Sequence, residues 1–208
     1  MESFSFIQWA LEHLNYGTVA LLMTIESSFI PFPSEIVVPP AAYMAAAGDL
    51  NVYLVILAAT VGALTGALIN YGLAVWIGRP IVYKFVNSRL GKAFLLDEHK
   101  MEKAEQYFVK YGNASTLVGR LVPGIRQLIS IPAGLSKMPL GRFVLYTSIG
   151  ATAWNVILAV LGYSLHSVVP KDLLMETVHK YTVQISWTIV GLVVLAVGYI
   201  VWRALWKR

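Results

Sequence analysis

Read for hydropathy, the chain alternates between three long apolar stretches and two shorter ones that proline and charge interrupt. The long stretches run from Leu50 to Gly78, from Phe143 to Leu165 and from Tyr181 to Trp202, with no Asp, Glu, Lys, Arg or His inside and one at every border. A bilayer core of ~30 Å takes ~20 helical residues to cross, so each stretch predicts a transmembrane helix. Composition agrees, since 57% of the 208 residues are hydrophobic and 13% charged, outside the range of ordinary soluble domains. The start of the chain does not read as a cleavable signal peptide, because Glu2, Glu12 and His13 stand where a basic region and an apolar run are needed. It is expected to stay in the mature protein. With no cysteine, disulfides, thiolate metal sites and cysteine nucleophiles are excluded. The net charge of +5 does not point to nucleic acid, because the basic residues gather between the spans, where topology accounts for them.

The interrupted stretches cover about 26–48 and 113–137. The first holds Pro31, Pro33, Glu35, Pro39 and Pro40, the second Pro123, Arg126 and Pro132. Proline removes a backbone donor and ends helix, and broken helix at membrane depth is tolerated only under cover of protein or water. Both stretches therefore read as re-entrant hairpins, shaped by Pro31, Pro33, Pro123 and Pro132. Aligned without gaps, Pro31 matches Pro123, Pro40 matches Pro132 and Ala41 matches Ala133, and each hairpin precedes a span with an asparagine, Asn70 or Asn155. Hairpin plus span reads as one unit used twice.

Charge sets the expected orientation. The segment 79–110 carries seven Lys and Arg against four acids, and the tail carries Arg203, Lys207 and Arg208, which places both in the cytoplasm. Within that segment, Met101, Ala104, Tyr107 and Phe108 form one apolar helical face, expected to lie on the membrane surface. The loop 166–180, where Lys171 and Lys180 balance Asp172 and Glu176, belongs outside. Parity then asks for a first crossing over about 16–29 from a cytoplasmic N-terminus, although residues 1–13 hold no Lys or Arg to keep them there. The expected fold is an all-α membrane protein, a polytopic helical bundle forming one domain, with two facing re-entrant hairpins in an inverted repeat. Such repeats put substrate sites near the bilayer midplane. Gly62 and Gly66 form a small-xxx-small pair expected to seat a neighbouring helix.

An ionisable residue at the bilayer centre costs ~2.5–3.5 kcal/mol or more, so each is a functional candidate. Four fall in the hairpins, Glu26 and Glu35 in the first and Arg120 and Arg126 in the second. The arginine fork suits phosphate oxygens and stays charged, which makes Arg120 and Arg126 the candidate binders of a substrate phosphate. Glu26 and Glu35 are the candidate proton-coupling acids. Phosphate that occupies the arginines withdraws their support from a buried carboxylate and favours its protonation. Blander roles compete: a Glu26 or Arg120 with its head at the interface, ion pairs that only lock the two halves, and asparagines that only bond helix to helix. Hydrolytic chemistry finds no footing, since His13, His99, His166 and His179 lie outside the hairpins and no nucleophile with a base, or cluster of metal ligands, is visible. No catalytic residue, metal or cofactor is expected.

The run Glu26-x4-Pro31-Phe32-Pro33-Ser34-Glu35, the pair Gly78-Arg79, and Tyr111-Gly112 followed by Gly119-Arg120-Leu121-Val122-Pro123-Gly124-Ile125-Arg126 and Pro132-Ala133-Gly134 resemble the DedA family, also called the SNARE-associated or VTT-domain family. The resemblance covers about Tyr16 to Gly162. It implies a multi-pass protein of the bacterial plasma membrane, with a cytoplasmic C-terminus and a role in moving lipids between leaflets, and it assigns the functional acids and arginines to Glu26, Glu35, Arg120 and Arg126. One position departs. Many members carry an Asp four residues before the tyrosine of the second span, where this chain has Ala67, so a proton step would fall to the hairpin acids. The Pro-Phe-Pro-Ser-Glu form with Ala67 is similar to the branch labelled alkaline phosphatase-like, which leans toward undecaprenyl phosphate. The implied function is a flippase for that carrier lipid, with protons as coupling partner. Phosphatidylethanolamine translocation and proton-coupled export of small molecules are the alternatives, and a homo-oligomer is compatible with the sequence.

Overall fold

The computed structural model describes residues 13–28, 34–87, 98–122 and 125–170, and most of those between 173 and 195. Among them every regular element is helical. Helix α1 (Tyr16–Glu26) starts at a capping box: the Asn15 side chain accepts the Gly17 and Thr18 N–H groups at 2.9 and 3.1 Å, and Thr18 Oγ1 accepts the Asn15 N–H at 2.8 Å. A 3-10 turn, Ser34–Ile36, leads into α2 (Val38–Ala47), whose first turn tolerates Pro39 and Pro40 because the first N–H groups of a helix have no partner within it. Helix α3 (Val52–Val86) bends at Gly78, whose φ of 69° and ψ of 174° suit only glycine, just ahead of Pro80. Helix α4 (Glu98–Leu121) kinks at Tyr111. The short α5 (Ile125–Leu128) and α6 (Ser130–Leu135) follow, and α7 (Leu140–Leu165) is again long.

Two described helices, Val52–Gly78 and Leu140–Leu165, are long and apolar enough to cross a membrane, and they coincide with two of the three expected stretches. The third, 181–202, runs beyond the described residues; those described between 180 and 195 are helical. Tyr53, Leu57, Val61, Ile69 and Trp76 recur on one exposed face of α3. In water such a stripe would be an unusually large apolar patch, whereas against lipid it is an ordinary outer wall.

The expected first crossing over 16–29 needs correction. Helix α1 has 11 residues and so reaches ~16 Å, about half of a bilayer core. It also runs parallel to α3. The Asn51 N–H donates to Tyr16 Oη at 2.9 Å at one end, and further along Gly62 faces Ala20 while Gly66 faces Thr24 and Ser27. Helix α1 therefore enters from the end at which α3 begins, and the chain reverses before α2 returns toward that end. The N-terminal side of α1 lies at the end opposite Gly78, and parity had placed it at the Gly78 end. The lack of Lys and Arg in residues 1–13 accords with the corrected position.

In the second half, too, a helix ahead of the break packs on the long helix that follows. Beyond its kink, α4 runs parallel to α7, with Arg120 and Leu117 against Gly150. Each returning arm then packs on the long helix of the other half. Gly162 of α7 faces the Pro39 backbone of α2, and Tyr43 Oη donates to Val169 O at 3.1 Å. Gly134 of α6 faces Tyr71 and Ala74 of α3, and Tyr71 Oη donates to Met138 O at 2.6 Å. Between helices in a bilayer there is no hydrophobic drive, so backbone proximity and interhelical hydrogen bonds hold them. That is why a small residue marks each of these crossings. Three buried apolar clusters among the described residues complete the packing, one around Leu22, Val38, Val55 and Leu158, one around Phe108, Met138 and Phe143, and a smaller one of Leu165, Leu174 and Val178.

Gly62→Leu would drive a side chain into the Ala20 carbonyl and is expected to lower stability by ~1–3 kcal/mol, read as a fall in the thermal midpoint in detergent. Gly72→Leu, with nothing within 4 Å, serves as the control that leaves it in place. Because the native chain has no cysteine, topology is testable by labelling. Cysteines introduced at Asn15 and Asp49 are expected to react with an impermeant thiol reagent from one face of the membrane, and a cysteine at Lys137 from the other. Reaction of the Asn15 and Asp49 variants from opposite faces would contradict the parallel packing of α1 and α3.

Candidate functional site

Three charges stand at three interrupted helix ends. Glu26 is the last residue of α1, Arg120 lies in the last turn of α4, and Arg126 belongs to α5. They are 2%, 3% and 8% exposed. The partial negative charge of a helix C-terminus suits Arg120 and opposes Glu26, so the carboxylate depends on its neighbours. Ser27 Oγ donates to Glu26 Oε2 at 2.7 Å, and Arg126 Nη2 lies 2.8 Å from Glu26 Oε1. That second contact lacks hydrogen-bond alignment, so its attraction is chiefly coulombic. The Arg126 guanidinium also sits over the Trp154 ring, 5.2 Å from its centroid, and Trp154 Nε1 donates to Ser34 Oγ at 3.3 Å. Arg120 Nη2 donates to Ser130 Oγ at 2.9 Å. The Nε atoms of both arginines are buried with no hydrogen-bond partner.

Two amides hold this layer to the long helices. Asn70 Nδ2 donates to Ser27 O at 3.1 Å and to Gln127 O at 3.4 Å, so one side chain of α3 touches both chain reversals. Asn155 Nδ2 donates to Thr60 Oγ1 at 3.2 Å and ties α7 to α3. At the meeting point lies a cavity of about 20 Å³ bounded by Glu26, Arg120, Arg126, Trp154 and Asn155. It has room for about one water molecule and none for a lipid headgroup.

Of the four candidate charges, the fold thus brings together Glu26, Arg120 and Arg126. Glu35 does not join them. It is half-buried on the 3-10 turn, makes no hydrogen bond or ion pair among the described residues, and does not line the cavity. Pro31, Pro33 and Pro123 lie outside the described residues, whereas Pro132 sits in the first turn of α6, where a missing N–H does no harm. Sequence reasoning passed over Ser27, Ser34, Ser130 and Trp154. A serine or a tryptophan in an apolar run carries no burial cost that would single it out, and only its contacts reveal it.

A family model of the VTT domain matches residues 32–164. The chain is 39% identical over 155 residues to an alkaline phosphatase-like protein of Lactococcus lactis subsp. lactis, which covers 74% of this chain and 72% of that one. It is 30% identical over 198 residues to undecaprenyl phosphate transporter A of Staphylococcus aureus, covering 95% of this chain and 94% of that one. To protein DedA of Escherichia coli it is 26% identical over 153 residues, 71% of this chain and 67% of the other. No solved structure matches. The domain match takes in the 3-10 turn, the returning arms, both arginines and the two long apolar helices, and the chain is accordingly a membrane protein of the VTT-domain, or DedA, family.

Proposed function

We propose that this protein is a lipid translocase that carries undecaprenyl phosphate between the leaflets of the bacterial plasma membrane, its headgroup passing through the cavity of Glu26, Arg120 and Arg126. The observation that carries this reading is the charge balance of that cavity. One carboxylate faces two buried guanidiniums: Arg126 lies against Glu26, Arg120 donates to Ser130, and each keeps an unpartnered Nε donor. An anion with several acceptor oxygens completes such a set, and a phosphate group is one. Likeness to undecaprenyl phosphate transporter A supports the choice of lipid, at 30% identity over 95% of the chain for both the Staphylococcus aureus and the Bacillus subtilis protein. In this reading the two reversals are re-entrant hairpins entering from opposite faces in an inverted repeat. The Lys and Arg excess of 79–110 turns the Gly78 end, the amphipathic start of α4 and the C-terminus toward the cytoplasm.

The small cavity makes this a closed state, so loading requires one hairpin to withdraw while the other stays. Phosphate then takes Arg126 from Glu26, and a buried carboxylate without its cation takes up a proton. Proton coupling rests on Glu26, with Glu35 outside the cavity. Phosphatidylethanolamine is the second reading, favoured by the carboxylate itself, which would accept the lipid's ammonium while the arginines hold its phosphate.

In proteoliposomes, wild type is expected to speed the exchange of undecaprenyl phosphate between leaflets more than that of phosphatidylethanolamine. Loss of a charged contact of about 1.5–3 kcal/mol predicts a rate ~10- to 100-fold lower in Arg126→Ala. A pH gradient should change the wild-type rate and leave Glu26→Gln indifferent. Undiminished exchange in Arg126→Ala would overturn the headgroup site, and preferential phosphatidylethanolamine exchange would favour the second reading.

A purely structural ion pair makes a different forecast. Arg126→Gln alone strands a buried carboxylate and is expected to cost ~3–5 kcal/mol, most of it recovered when Glu26→Gln is added. If the pair only locks the halves, the double variant regains transport together with its thermal midpoint. On the translocase reading it regains the midpoint and stays inactive.

A further inference from the structure

At the Gly78 end of the bundle, a cavity of about 440 Å³ opens between the kink of α4 and the loop joining α6 to α7. It dwarfs the 20 Å³ of the central cavity. Lys110, Lys137 and Arg142 line it, and among the described residues no acid does. Among the described residues none of the three is engaged in an ion pair; Lys110 Nζ lies only over the Tyr111 ring, 5.1 Å from its centroid. The wall between these cations is mixed: Phe108, Met138 and the 73% exposed Val109 give it apolar surface beside Asn113 and Ser136. Three unspent cations beside a partly apolar wall describe a seat for an anionic amphiphile.

The backbone of Lys137 adds an independent observation. Helices α2 and α6 end in the same motif. The Gly48 N–H donates to Ala45 O at 3.2 Å and the Asp49 N–H to Met44 O at 3.1 Å; likewise the Lys137 N–H donates to Gly134 O and the Met138 N–H to Ala133 O, both at 3.0 Å. This helix ending needs a residue in the left-handed region, usually glycine. The first helix has Gly48 there, at φ 96°, but the second has Lys137, at φ 53°, the sole positive-φ residue other than glycine among those described. A lysine held in a conformation that favours glycine is strained, which points to a use for its side chain.

We propose that this vestibule is a second phosphate site, which seats the headgroup of an anionic lipid at the membrane surface on its way to or from Arg120 and Arg126. Its purpose rests on the translocase reading; its binding chemistry does not. The geometry suits a staging post. Arg142 and the Arg120-facing Gly150 lie eight residues apart on α7, a rise of ~12 Å, and α4 runs parallel from Tyr111 to Arg120. The large site accepts a headgroup without rearrangement, and the small one admits it only when a hairpin moves.

Calorimetric titration of the full chain in neutral detergent tests this, with water-soluble dihexanoyl phosphatidate and inorganic phosphate as probes. Wild type is expected to bind the short-chain lipid. Lys137→Gly combined with Arg142→Gln should weaken that binding roughly tenfold or more and flatten its salt dependence. The thermal midpoint should not fall, because glycine relieves the left-handed strain. Unchanged affinity in the double variant would overturn the site. Inorganic phosphate bound as tightly as the lipid would overturn its assignment to a headgroup. Because binding is read without transport, these outcomes stand even if the protein moves no undecaprenyl phosphate.

Discussion

A helix that ends inside an apolar bundle leaves backbone carbonyls that lipid cannot satisfy, and in this protein one amide answers for both chain reversals. Asn70 Nδ2 holds the carbonyls of Ser27, just past α1, and of Gln127, within α5. The asparagine is itself buried in α3. The interrupted ends therefore cannot drift apart without stranding polar groups at membrane depth, which costs several kcal/mol for each group. The charges follow from the same constraint. Glu26 stands at the unfavourable end of its helix and survives there because the reversal of the other half delivers Arg126 to within 2.8 Å.

Close crossings supply the rest. Helix α1 lies against Gly62 and Gly66 of its own half, while α2 and α6 lie against the long helix of the other half, at Gly162 and beside Ala74. This exchange of arms gives the bundle its mechanical character. A shift of either returning arm loads the opposite long helix, and the central cavity sits where the two reversals meet. Packed interfaces of this kind tend to hold discrete arrangements and resist gradual deformation. The central cavity has room for about one water molecule, and the Nε atoms of Arg120 and Arg126 are buried there without a hydrogen-bond partner. The wide basic vestibule at the Gly78 end has no such restriction.

Much of this could be read in advance because expense in a membrane is conspicuous. The long apolar stretches announce Val52–Gly78 and Leu140–Leu165 by length alone. Charges in proline-broken apolar segments singled out Glu26, Arg120 and Arg126, and the spacing of Gly62 and Gly66 announced a tight crossing. Glu35 shows where the reasoning weakens. Sequence proximity to Glu26 gave it the same standing, yet among the described residues it makes no ion pair and it does not line the central cavity. The role of Trp154 was invisible, since a tryptophan in a span announces burial but not that an arginine will stack on its ring.

The placement of α1 marks the boundary most clearly. A mostly apolar helix of eleven residues before a broken segment fits either direction of travel through the bundle, because hydropathy reports depth and not direction. Parallel contact with α3 decides between them, and that contact joins residues some forty positions apart in the chain. By itself the sequence determined which segments are apolar enough to span a bilayer and which costly charges interrupt them, since those follow from the local cost of polar groups in hydrocarbon, and its motifs carried the resemblance to the family. Which charges meet, which arm packs on which helix, and how little room remains between them depend on long-range proximity, and only the tertiary structure decided those.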